Sequence, residues 1–96
     1  MAAKISFRQN PKVVLHWRAL EDDFVVFDQL SGITYRFDVL KAFVLDVLAQ
    51  SVHSEASLTS LVMGHLVVPD AASVPALVQN ILNELRGAGL IEVAEA

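Results

Sequence analysis

The stretch FVVFDQLSGITYRFD, Phe24–Asp38, decides how the rest of the chain is read. Phe24–Asp28 is a short apolar run, Gln29–Gly32 is a polar loop, and Ile33–Phe37 alternates. In that last segment Ile33, Tyr35 and Phe37 fall on one side and Thr34 and Arg36 on the other. A period of two in β-branched and aromatic residues is a strand pattern, so the stretch reads as a hairpin. Gly32 can supply the left-handed backbone that a tight connection requires. Each outer edge of a hairpin must be paired, covered or blunted. The far edge of Ile33–Phe37 therefore needs a neighbour.

On the N-terminal side, VVLHWRAL, Val13–Leu20, alternates in the same way. Val13, Leu15 and Trp17 oppose His16 and Arg18, and the charged turn Glu21–Asp23 leads into Phe24. Residues 1–12 read as a flexible lead-in marked by Pro11, and residues 13–96 as one domain. On the C-terminal side the period changes at Asp38. Val39, Leu40, Phe43, Val44, Val47 and Leu48 have the spacing of a helix face, and Asp38 can cap that helix by accepting a backbone N–H. Ser51–Ala56 reads as a loop. Ser57 then caps a second, shorter helix with the stripe Leu58, Leu61, Val62 and Leu66. Val68–Ser73 links to a third helix with Ser73 as cap and Pro75 in the first turn, where a missing N–H is tolerated. Its stripe of Val74, Leu77, Val78, Ile81, Leu82 and Leu85 is wide. Gly87 or Gly89 stops the helix in a left-handed cap, and Leu90–Val93 reads as a last short strand. Strands followed by helices make an α+β order. The expected fold is winged-helix-like: a three-stranded antiparallel N-terminal sheet on a three-helix bundle, with a short C-terminal wing strand.

Composition bounds the function. The chain of 96 residues is 54% hydrophobic and 19% charged, with a formal net charge of −4. The apolar share exceeds the usual ~45–50%, which leaves apolar surface to spare for a partner. No cysteine is present, which removes disulfides, thiol nucleophiles and cysteine zinc sites. No run approaches the ~18 apolar residues of a membrane span, and the N-terminus lacks the apolar core of a secretory signal. A soluble, cytoplasmic protein without membrane contact is expected.

No constellation of residues points to catalysis. His16, His53 and His65 do not share ligand spacing, and His53 beside Glu55 falls short of the three or four convergent ligands a zinc site needs. There is no phosphate-binding glycine loop and no nucleophile motif. Asp22, Asp23, Asp28, Asp38 and Asp46 have ordinary places in turns, a cap and a solvated helix face. No catalytic residue, metal or cofactor is expected. A winged helix raises DNA binding, but Val74–Arg86, the would-be recognition helix, carries Arg86 as its one cation, and the net charge has the wrong sign. No nucleic acid is expected. Six of the seven cations lie in the first 41 residues, Lys4, Arg8, Lys12, Arg18, Arg36 and Lys41. They make either a solvated sheet face or a mildly basic surface centred on Arg36.

The succession WRALEDDFVVFDQLSGITYRFDVLKAFVLDVLAQ, then SLTSLVMGHL, then a final helix ending LRGAGLIEV resembles PqqD-like proteins, the peptide chaperones also called RiPP recognition elements. The nearest likeness is to the bacterial subgroup found beside HPr-kinase-related proteins. The resemblance spans about Val13 to Val93. It implies a non-catalytic domain that binds the leader segment of a ribosomally made precursor peptide and presents it to a modifying enzyme. The leader would add as a strand beside Ile33, Thr34, Tyr35, Arg36 and Phe37. Its side chains would enter a groove lined from the third helix by Val74, Leu77, Val78, Ile81 and Leu85. Leu82 shares that stripe, and the residues alone leave open whether Val78 with Leu82 or Leu77 with Ile81 faces the groove. The rival reading is a dimeric winged-helix interaction or regulatory module whose edge strand pairs with itself or with a protein partner.

Overall fold

The computed structural model describes residues 5–66 and 70–94. Lys4, the first part of the expected linker at residues 68–69, and Glu95 lie outside the described residues. The elements in chain order are β1 (Ser6–Gln9), β2 (Leu15–Ala19), β3 (Phe24–Asp28), β4 (Ile33–Phe37), α1 (Val39–Gln50), β5 (His53–Ser54), α2 (Glu55–His65), a 3-10 turn (Ala71–Ser73), α3 (Val74–Gly87) and β6 (Ile91–Ala94).

The hairpin reading holds. β2, β3 and β4 form an antiparallel sheet in that order, with Trp17 opposite Val26 and Val26 opposite Tyr35. This register puts Leu15, Trp17, Ala19, Phe24, Val26, Tyr35 and Phe37 on one face and His16, Arg18, Val25, Phe27, Thr34 and Arg36 on the other. Val26 at the centre of the first face is fully buried, and Phe37 at its end is nearly so. The β3–β4 turn is built by Asp28, which is only 2% exposed. Its carboxylate accepts the Leu30 N–H at 3.0 Å and the Ser31 hydroxyl at 2.8 Å, and its carbonyl accepts the Gly32 N–H at 2.8 Å. Gly32 sits at φ 77°, the left-handed region that favours glycine.

The helices form where the sequence places them, with shifted caps. Asp38 caps α1 by accepting the Lys41 N–H at 2.8 Å. α2 starts two residues before the expected Ser57, because Ser54 takes the capping role and accepts the Ser57 N–H at 3.1 Å. Ser73 does not cap α3. Its hydroxyl donates to Asp70 at 2.6 Å, and Asp70 also accepts the Ala72 N–H, so the linker is closed by its own 3-10 turn. Pro75 lies in the first turn of α3, and Gly89 ends the helix at φ 75°. Ala42, Val44, Leu45 and Leu48 from α1, Leu58 and Val62 from α2, and Val74, Val78, Ile81, Leu82 and Leu85 from α3 form one core with Val26 and Phe37.

The segment from Ser6 to Gln9 is not a lead-in. It is β1, the central strand of a second antiparallel sheet in the order β5-β1-β6. Phe7 pairs with His53 on one side and with Val93 on the other, and is buried. Arg8 is bound to Glu92 at 2.6 Å across 84 residues of chain. The Asn10 N–H donates to the Leu90 carbonyl at 2.9 Å. Four residues with one large apolar side chain cannot announce a strand by periodicity, and neither can the two residues of β5, which the sequence reads as loop. The terminal strand is thus shared with the N-terminus. The architecture is α+β with two three-stranded antiparallel sheets and three α-helices among the described residues.

Because Asp28 is the buried polar group that closes the β3–β4 turn, Asp28→Ala is expected to destabilise the domain by about 1–3 kcal/mol. Asp28→Asn, which keeps an acceptor, is expected to lose less. Thermal unfolding followed by circular dichroism checks this: equal midpoints for wild type and Asp28→Ala would remove the carboxylate from any role in the turn.

Candidate functional site

The sheet of β2, β3 and β4 has no strand beyond β4 among the described residues. Which backbone groups that edge offers follows from the register. The Gln29 N–H donates to the Val14 carbonyl and the Leu20 N–H to the Asp23 carbonyl, so the even-numbered residues of β2 and the odd-numbered residues of β3 face each other. Val26 then faces Tyr35, and the N–H and C=O groups of Thr34 and Arg36 point to the free edge. The Thr34 and Arg36 side chains project from the outer face, where Arg36 donates to Asp23 at 2.7 Å. Arg36 is therefore paired, and does not stand as the centre of a free basic surface.

On the inner face, Tyr35 and Phe37 stack with ring centroids 5.6 Å apart. The Lys41 ammonium lies 5.5 Å from the centre of the Phe37 ring and is also ion-paired with Glu84 of α3. Leu77, Ile81 and Glu84 recur at the spacing of one helix face, and Glu84 is the member of that face tied to Lys41. Val74, Val78, Leu82 and Leu85 are buried in the core, and Ile81 nearly so at 7% exposure. Leu77 is 43% exposed. Of the two pairs open from the sequence, Val78 with Leu82 is core, and of Leu77 with Ile81 only Leu77 is exposed. Ile33 at 49% and Leu30 at 64% add exposed apolar area at the turn end of β4. The Lys41–Glu84 tie has a sequence signal only in retrospect, since residues 43 positions apart do not declare a pairing.

The histidines have local partners. His53 bridges the hydroxyls of Ser51 at 2.7 Å and Ser57 at 2.9 Å. His16 meets the Gln29 amide oxygen at 2.9 Å and stacks on Phe27. His65 packs against Phe43. Among the described residues no group of three or more His, Cys, Asp or Glu side chains is placed to hold a metal ion. Arg86, the one cation of α3, lies over the Phe7 ring at 5.9 Å. Among the described residues no helix is long and apolar enough to cross a membrane.

No family model and no curated protein matches the chain. Solved structures do. One is "Lasso peptide synthetase B1 complexed with the leader peptide", with TM-score 0.66 and 17% identity, covering 90% of this chain and 96% of that one. Another is "TbiB1 in Complex with the TbiA(beta) Leader Peptide", with TM-score 0.69 and 16% identity, covering 93% and 99%. The chain shares the fold of these two proteins. The likeness runs over nearly the full length of both neighbours.

The edge geometry makes a sharp prediction about proline. Thr34 points its N–H away from β3, so Thr34→Pro removes no bond within the sheet and is expected to leave the unfolding midpoint nearly unchanged. Tyr35→Pro removes a bond to Val26 in the centre of the sheet and is expected to unfold the domain or lower its stability by ~3 kcal/mol. Equal losses in the two variants, measured by thermal denaturation, would show that the edge is not free.

Proposed function

We propose that the chain is a non-catalytic peptide-recognition domain. It binds the leader segment of a ribosomally made precursor by strand addition to β4 and presents that precursor to a modifying enzyme. The observation that carries this is the edge of β4, which has no neighbouring strand among the described residues, in a fold shared with proteins solved with leader peptides bound. In this reading Ile33–Phe37 forms the backbone contact and Leu77 and Ile81 take the peptide's apolar side chains. The winged-helix reading belongs to the same proposal: α1, β5, α2, α3 and β6 follow one another as helix, short strand, helix, helix and strand.

The energetics favour a ligand with both a backbone and apolar anchors. Each backbone hydrogen bond nets about 0.5–1.5 kcal/mol, and Thr34 and Arg36 present few of them. One buried leucine-sized side chain adds roughly 1.5–3 kcal/mol. Extended peptides with alternating apolar residues satisfy both requirements.

The test is a titration of isotope-labelled protein with the leader of the precursor encoded beside it. Amide shifts are expected along Ile33–Phe37 and at Leu77 and Ile81. Leu77→Asp is expected to weaken binding by about 10–100-fold, the loss of one apolar anchor, and Thr34→Pro to weaken it while leaving the fold intact. Leader-induced shifts that avoid β4 and α3 would overturn the reading.

A further inference from the structure

Beneath β2, the other outer strand of the sheet, a cavity of about 410 Å³ opens between the inner face of the sheet and α1. Trp17, Phe24 and Phe43 wall it with aromatic rings, and Val39 and Ala42 of α1 extend the apolar lining. The Trp17 and Phe24 rings have centroids 6.3 Å apart and planes 78° apart. A group in the corner between two such planes meets a face of each. One charged group lines the cavity, the Asp46 carboxylate. Asp46 follows Ala42 and Phe43 by one helical turn and so shares their side of α1. It accepts the side-chain amide of Gln50 at 3.2 Å and has no ion-pair partner among the described residues. The same end of the sheet is acidic. Ala19 pairs with Phe24, so the turn Glu21–Asp23 lies immediately beyond the cavity. Asp23 is held by Arg36, while Glu21 and Asp22 have no ion-pair partner among the described residues. Of the nearby cations, Arg18 projects from the opposite face of the sheet and Lys41 is tied to Glu84.

We propose that this cavity takes an arginine side chain presented by a partner protein. Aromatic faces attract a cation, and a guanidinium stacks on them better than a compact ammonium because it is flat and weakly hydrated. Asp46 accepts the guanidinium N–H groups in a charge-assisted bond, and Val39 and Ala42 cover the methylene stem. A purely apolar side chain uses the rings but draws water away from Asp46 without replacing it, which costs free energy. An anionic ligand is repelled by Asp46, Glu21 and Asp22. No cation lines the cavity to receive a phosphate or an α-carboxylate. The arginine therefore belongs to a peptide chain, where its α-groups are amides, rather than to a free amino acid or a nucleotide. The site is built by β2, β3 and α1, apart from the β4 edge, and the proposal is independent of what β4 binds.

Trp17 is the one tryptophan of the chain and stands in the cavity wall, so its fluorescence reports on the site directly. The full chain is titrated with four probes: N-acetyl-arginine amide, N-acetyl-citrulline amide, which has nearly the same shape without the charge, N-acetyl-leucine amide, and free arginine. The arginine amide is expected to change Trp17 emission saturably in the millimolar range and, in isotope-labelled protein, to shift the amides of Val39–Asp46. The citrulline and leucine amides are expected to bind about fivefold more weakly or worse, and free arginine more weakly than its amide. Asp46→Asn, at an exposed helix position, is expected to keep the unfolding midpoint and to bind the arginine and citrulline amides equally. That loss of discrimination is a change that altered packing alone does not produce. Absence of a saturable response to the arginine amide overturns the proposal. So does equal affinity of the wild type for the citrulline or leucine amide, discrimination that survives in Asp46→Asn, or shifts confined to β4. Tighter binding of free arginine than of its amide overturns the assignment to a partner protein.

Discussion

The Asp28 carboxylate, buried and bonded to the Leu30 amide and the Ser31 hydroxyl, holds the turn that sets β4 against β3. Much else follows from that register. A slip of one residue would carry Tyr35 and Phe37 to the outer face and Thr34 and Arg36 to the inner one. It would also exchange the backbone groups that point to the free edge. The core contribution of Phe37, the ring that receives Lys41, and the edge offered by Thr34 and Arg36 are therefore one decision, made at the turn.

Three of the six cations in the first 41 residues are held in ion pairs. Arg8 is tied to Glu92, Arg36 to Asp23 and Lys41 to Glu84. Exposed pairs of this kind contribute little stability each. They matter for placement: Lys41–Glu84 links the start of α1 to the second half of α3, while Arg8–Glu92 matches β1 with β6. The two free edges of the sheet then differ in character. The β4 edge presents the backbone groups of Thr34 and Arg36. The β2 edge presents Leu15, Trp17 and Ala19 above an apolar cavity.

The strands β2, β3 and β4, with the faces of each, were legible in the sequence because alternation over five residues is a strong signal and Gly32 marks the turn. The α1 cap at Asp38, the first-turn proline of α3 and a left-handed stop at Gly89 were legible for the same local reason. The cap of α2 was misplaced because Ser54 and Ser57 both suit it, and the choice falls to Ser54, whose strand pairing with β1 gives the chain an extended entry into the helix. Of the candidate site, the strand was legible and the helix side only as a stripe. Which stripe residues face inward depends on what the helix packs against, and periodicity does not carry that.

By itself the sequence determined the hairpin sheet, the positions of the helices, the absence of thiol chemistry and a surplus of apolar surface. These rest on local interactions, where a side chain and its backbone partner lie within a few residues. The tertiary structure alone decided that Ser6–Gln9 is a central strand joining the two ends of the chain, that Val78 and Leu82 are core while Leu77 stays exposed, and that Glu84 of α3 meets Lys41 of α1. Those outcomes depend on contacts between residues tens of positions apart, whose closure is set by the packing of the whole core.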